Sequence, residues 1–193
     1  MNRLPTLLAM ATIAVALGLP AQAQHKPLPS DSVYLLDADL LDQDGKRWPW
    51  RAQRGRPRVV GMFYTSCQFI CPLIIDSGRA VERALAPAVR ARLGVTLISM
   101  DPARDTPAAL AKVAAARKLD THRWTLASPR PDEVRAVAAV LGVRYRALDD
   151  GEFNHTSALV LLDAEGRVLA RTERMGSQPD PAFVAQVRKA VAQ

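Results

Sequence analysis

Short, almost unbroken apolar runs alternate along this chain with longer segments in which apolar residues recur every three or four positions. The runs RVVGMFY at 58–64 and VTLISM at 95–100 have the length of buried strands, and WTLA at 124–127 reads as a shorter one. Residues 73–93 carry helical spacing and strong helix formers. Thr106 followed by Pro107 supplies a side-chain cap and a first-turn proline, which predicts a helix over 107–118. Pro131 opens a helix to about residue 141 by the same proline rule, and Asp180 with Pro181 starts a last one over 181–191. Runs 157–162 and 168–172 are strands joined through Ala164, Glu165 and Gly166. Near the start, two runs within 32–50 flank Asp44-Gly45, a strong hairpin signal.

The order is hairpin, β, α, β, α, β, α, β, β, α. Strands that alternate with helices imply a parallel core, and the closing hairpin adds antiparallel edges. The expected class is therefore α/β, a central mixed sheet flanked by helices with an N-terminal β-hairpin extension. No repeat or linker divides residues 33–193, so they are expected to form one domain.

The first residues follow another pattern. Arg3 precedes an apolar stretch over 7–19, and Ala21-Gln22-Ala23 forms a small-x-small cleavage site. That is the layout of a secretory signal peptide, with an apolar run short for a membrane span. The expectation is a signal peptide at 1–23 and a flexible lead-in at 24–32. No cysteine near the cleavage site offers a lipid attachment point, whereas an uncleaved signal would anchor the chain. The domain is expected to be exported, periplasmic in a bacterium, where a disulfide can form and persist.

Composition adds little to this. The hydrophobic share of 49% and charged share of 23% are ordinary globular usage, which excludes disorder, collagen and coiled coil. The formal charge of +7 comes mainly from arginine in an alanine-rich chain. Its densest run, Arg51, Arg54, Arg56 and Arg58, lies in a Gly/Pro-containing connection and reads as a solvated loop. With no nucleic-acid module or interleaved aromatics beside it, no nucleic-acid partner is expected. Two cysteines are too few for a disulfide scaffold or a four-thiolate zinc site. Together with three histidines they suffice for one small redox or metal site.

The cysteines, Cys67 and Cys71, stand where a buried strand gives way to a polar turn and then a helix. Open α/β sheets bind ligands at that edge, and a helix N-terminus favours thiolate over thiol. Thiolate is both the nucleophile of disulfide exchange and a soft ligand for Cu(I), zinc or iron–sulfur. The C-x-x-x-C spacing is one residue longer than the thioredoxin redox motif. A four-residue step puts both side chains on one side of a helical turn, which suits two ligands on one ion. A disulfide then needs local backbone adjustment. From these residues alone, a metal pair, a redox pair, a structural disulfide and two inert thiols all remain open. Of the histidines, His25 lies in the lead-in and His122 in a charged loop, where both read as surface residues. His155 precedes the apolar run at 158–162, which puts it on a loop at a strand start, 84 residues beyond Cys71.

Four features in this order resemble the SCO/SenC family of copper-binding, thioredoxin-fold assembly factors. They are Cys67–Cys71 followed by Pro72, the segment DPARDTP at 101–107, His155-Thr156-Ser157, and the LLDQDGK hairpin at 40–46. The resemblance runs over about 33–175 and implies a thioredoxin-like fold. It implies a copper site, Cu(I) and also Cu(II), held by Cys67, Cys71 and His155. It further implies that the chain delivers copper to, or keeps reduced the cysteines of, the binuclear copper site of cytochrome c oxidase. The expected partner is then the oxidase copper subunit or another copper protein, with the membrane near through that recipient or an uncleaved signal. The rival expectation is a periplasmic thiol–disulfide oxidoreductase in which Cys67 attacks and Cys71 resolves. Gln68 and Asn154 stand where the family often has proline and an acidic residue, and neither removes a ligand. Asp101 ends a strand beside the cysteine turn, where its charge would act on a bound cation.

Overall fold

The apolar runs become neighbouring strands in the computed structural model, which describes residues 26–67 and 70–192. The strands are β1 (Asp39–Asp42), β2 (Arg47–Pro49), β3 (Arg58–Phe63), β4 (Gly94–Ser99), β5 (Trp124–Pro129), β6 (Tyr145–Ala147), β7 (Phe153–His155), β8 (Leu159–Leu162) and β9 (Val168–Thr172). The helices are α1 (Ile70–Arg83), α2 (Pro87–Arg92), α3 (Pro107–Ala116), α4 (Val134–Val140) and α5 (Pro181–Ala192). Seven strands form one sheet in the order β2-β1-β5-β4-β3-β8-β9, while β6 and β7 pair separately. β3, β4 and β5 run parallel at the centre; β1 joins β5, and β8 joins β3, antiparallel. Every residue of β3, β4 and β8 is buried, which is why they read as continuous apolar runs rather than alternating ones. The α/β class and mixed sheet flanked by helices are as expected.

The hairpin at the start forms around Gly45, whose φ of 76° a glycine accepts without strain. Asp42 tightens it by accepting from the amides of Asp44 and Lys46 and from the Trp48 indole at 2.9 Å. The expected signal peptide and His25 lie outside the described residues. Ser32, the last residue of the expected lead-in, is tied down: its hydroxyl donates to the Glu165 carbonyl at 2.5 Å. No helix among the described residues is long and apolar enough to cross a membrane.

Four local expectations are corrected. The helical stretch 73–93 is two helices, because Pro87 cannot continue α1 and instead sits at the first position of α2. Pro131 begins a turn, and α4 starts only at Val134. The intervening turn is held by Glu133, which accepts from the amides of Arg130 and Asp39. Arg58 is not solvated: it is buried, donates to the Gln53 carbonyl at 3.1 Å, and occupies space that only glycine leaves at position 94. Asp101 is ion-paired with Arg104, so the acidic group that reaches the cysteine turn is its neighbour Asp105.

α1 is set closely against the sheet. A Cβ on Gly78 would come within 2.6 Å of the Trp124 ring, whose indole donates to Glu82 at 2.8 Å. At the carboxyl ends of β3 and β4, the buried Asp105 carboxylate accepts from the Thr65 amide and hydroxyl and from the Ser99 hydroxyl. The Ser128 hydroxyl donates to the Asp105 carbonyl at 2.7 Å, adding the end of β5. One residue thus joins the turn after β3 to the ends of β4 and β5. Burial pushes the Asp105 carboxyl up, and the Ser99 and Thr65 hydrogen bonds oppose that shift.

Two outcomes follow. Gly78→Ala is expected to unfold earlier in urea, because an overpacking cost of about 1–3 kcal/mol exceeds the roughly 1 kcal/mol helix gain of alanine. A midpoint at or above the native one would show that Trp124 yields freely. Asp105→Ala, which strands three donors, is expected to lose about 2–4 kcal/mol in chemical denaturation. Asp105→Asn should retain part of that. An aspartate raised above its unfolded pKa of about 3.9 stabilises fully below that pH and progressively less as pH rises through its folded value. The difference between native and Asp105→Asn stability profiles should therefore fall as pH rises above about 4.

Candidate metal and redox centre

The strand-to-helix turn places both thiols in one network. Phe63 ends β3, Cys67 follows in the turn, and Cys71 is the second residue of α1. Both are thiols and both are buried. The Cys71 amide donates to the Cys67 sulfur at 3.5 Å, and the Tyr64 amide donates to the Cys71 sulfur at 3.4 Å. The first contact sets a backbone donor at the start of α1 on the Cys67 sulfur. At Cys71 the expected helix effect is outweighed. Burial pushes its thiol up, the Tyr64 amide opposes this, and the Cys67 sulfur and Asp105 push the same way as burial.

His155 is not on a loop. It is the last residue of β7, opposite Tyr145 in the small antiparallel pair β6–β7. The strands are joined through Gly151, at φ 81°, whose amide donates to the Leu148 carbonyl. Asp150-Gly151 is the same hairpin signal that marks β1–β2, and it would have revealed the pair. The imidazole Nδ1 lies 3.3 Å from the Thr156 carbonyl, which assigns the proton to that nitrogen. Nε2 then carries the lone pair, and it is buried with no hydrogen-bond partner. Burial lowers the imidazole pKa, so the ring is held neutral. A buried, unpaired lone pair on a neutral imidazole is the form in which histidine ligates a metal.

Tyr64, which the sequence reading did not single out, stands between the two halves. Its ring packs edge-on against His155, with centroids 5.9 Å apart, and against Phe153 at 5.1 Å. Its hydroxyl donates to Glu152 at 2.8 Å and accepts from the Phe153 amide at 3.4 Å. The thiols open onto a cavity of about 200 Å³ that Tyr64 also lines, with Pro72, Ile75 and Val113. His155 lines a separate depression of about 350 Å³ with Arg144, Tyr145 and Thr156. Arg104 completes the junction, pairing with Asp101 and donating to the Gly151 carbonyl. The fold therefore brings Cys67 and Cys71 together and sets His155 across Tyr64 from them. Among the described residues no three His, Cys, Asp or Glu side chains converge as a ready cation site. His122 is exposed, as expected.

Similarity to known proteins points one way. The SCO1/SenC family model matches residues 32–192. A Stutzerimonas stutzeri protein with a copper-binding name is 29% identical over 108 residues, 51% of this chain and 53% of that one. The chain thus spans about half the length of that relative. The structure of Bradyrhizobium japonicum ScoI with copper bound superposes with a TM-score of 0.62 at 25% identity, over 79% of this chain and 96% of that one. BsSco, described as a member of the Sco family of cytochrome c oxidase assembly proteins with a disulfide switch, gives a TM-score of 0.67 at 22% identity over 80% and 91%. The family match takes in every strand and helix of the fold, so this chain belongs to the SCO1/SenC family.

Proposed function

We propose that this chain is an exported copper carrier whose donors are Cys67, Cys71 and His155. It delivers copper to, or maintains the cysteines of, the binuclear copper site of cytochrome c oxidase or another copper protein. The observation that carries the reading is the His155 Nε2 lone pair, buried and unpaired on a hairpin that Tyr64 joins to the thiol pair. Two thiolates and one imidazole are a soft set that favours Cu(I), and the imidazole also accommodates Cu(II). The copper-bound relative and the oxidase-assembly relative support the cargo and the recipient. The signal-like pattern over 1–23 supports a periplasmic or otherwise exported site of action, with the membrane reached through the recipient or an uncleaved signal.

Copper is cargo here, so the protein's task is to hold the ion and release it. Each thiol gives up its proton on binding, and the neutral imidazole gives up none. Transfer is ligand exchange, in which incoming donors replace Cys67, Cys71 and His155 one at a time. A disulfide between the cysteines would block binding, since it leaves no thiolate.

A second reading rests on the contact between the Cys71 amide and the Cys67 sulfur. The donor favours a Cys67 thiolate that attacks a partner disulfide. The partner's second sulfur leaves as thiolate and takes up a proton. Cys71 then attacks the mixed disulfide, so this chain ends oxidised and the partner ends with two thiols.

Titrating the reduced protein with Cu(I) should give one ion per chain. His155→Ala should weaken binding by at least about tenfold, the loss seen even for outer partners of metal ligands. Undiminished binding by His155→Ala would remove the three-donor site. Cys71→Ser should trap a mixed disulfide with a partner if the redox reading holds, and that capture should survive loss of His155.

A further inference from the structure

We infer that Tyr64 and Glu152 are positioning residues that hold His155 away from the thiol pair, so that loading a soft cation must break their hydrogen bond. The inference deepens the copper reading above and rests on it. Four contacts meet in Tyr64. Its amide fixes the Cys71 sulfur, and its ring lies edge-on to the His155 imidazole. Its hydroxyl donates to Glu152 at 2.8 Å and accepts from the Phe153 amide, three and two residues before His155. The Glu152 contact with Tyr64 and the Arg104 bond to the Gly151 carbonyl both lie at the turn of the β6–β7 hairpin.

The consequence is geometric. Tyr64 lines the cavity of the thiols and packs against the imidazole, which lines a different one, and among the described residues no three such donors converge. Three donors must lie within bonding distance of one ion to share it, about 2.0–2.3 Å for nitrogen and sulfur. The hairpin must therefore shift relative to Tyr64 for His155 to join Cys67 and Cys71. The β6–β7 pair has three residues per strand and no ladder to the main sheet. Such a pair is marginal alone, so its position is set by the bonds at its turn and by the packing of Tyr145 and Phe153 against the core. The hydroxyl of Tyr64 holds the hairpin in the separated arrangement at the expense of the converged one.

Removing the hydroxyl while keeping the ring isolates the effect. Tyr64→Phe and Glu152→Ala are each expected to bind Cu(I) about fivefold more tightly in competition with a chelator, the equivalent of one net hydrogen bond. Glu152→Gln keeps an acceptor for the phenol and should bind as the native protein does. The double variant should gain no more than Tyr64→Phe, which already lacks the hydroxyl that Glu152 would hold. The gain should vanish in a His155→Ala background, and the His155 ring resonances of reduced Tyr64→Phe should shift before any copper is added. If Tyr64→Phe and Glu152→Ala merely unfold earlier, with native affinity and unshifted His155 resonances, the bond is structural and the inference falls. Weaker binding by both would also overturn it, by showing that the bond assists loading. Should His155→Ala itself bind as tightly as native, the underlying three-donor reading fails instead.

Discussion

A carboxylate removed from water has to be compensated by donors, and in this protein the donors that compensate Asp105 come from the turns around it. The Thr65 amide and hydroxyl, the Ser99 hydroxyl and the Ser128 contact to its backbone draw the turn after β3 and the ends of β4 and β5 onto one residue. Left unpaired there, the charge would cost several kcal/mol. The cysteine turn is therefore held through Thr65, two positions before Cys67, by a group that belongs to a different crossover. That is how a polar turn at a sheet edge keeps two thiols buried.

The parallel trio supplies the platform for this arrangement. Because β3, β4 and β5 run the same way, their carboxyl ends open on one edge, and the turns that follow them meet there. His155 arrives by another route. After β5 the chain passes through α4 into the separate β6–β7 pair before returning to the sheet as β8 beside β3. His155 thus sits just upstream of a strand that pairs with the strand carrying the cysteine turn. Tyr64 and Arg104 fasten that detour to the edge.

Much of the scaffold was legible in the sequence because burial on both faces writes itself as unbroken runs such as RVVGMFY and VTLISM. The local rules failed where a tertiary contact decided the outcome. Ala86-Pro87 was visible, yet the alanine-rich spacing around it suggested one helix. Pro131 resembles a helix start, but Glu133 spends its carboxylate on the amides of Arg130 and Asp39 and delays α4. Arg58 lay in a basic run and is buried only because Gly94, on the next strand, leaves room for it. At the site, the cysteine turn was readable from strand, turn and helix signals alone. The approach of His155 was not, since it depends on the order of strands across the 83 residues between it and Cys71. Tyr64 was hidden for a different reason: as the end of an apolar run it looked like one more core residue.

The two-stranded sheet has an implication for how this domain breathes. Global unfolding must dismantle a seven-stranded sheet, whereas six paired residues at 145–147 and 153–155 can come apart while that sheet stays whole. Native-state amide exchange measures such partial openings, and short peripheral units exchange at a fraction of the global free energy. The imidazole therefore rides on a short peripheral pair with a low opening cost, and the thiols on a turn braced through Asp105 to the ends of the core strands. Heating or mild denaturant should reach the first before the second, so His155 leaves its place while the thiol pair and the fold around it persist.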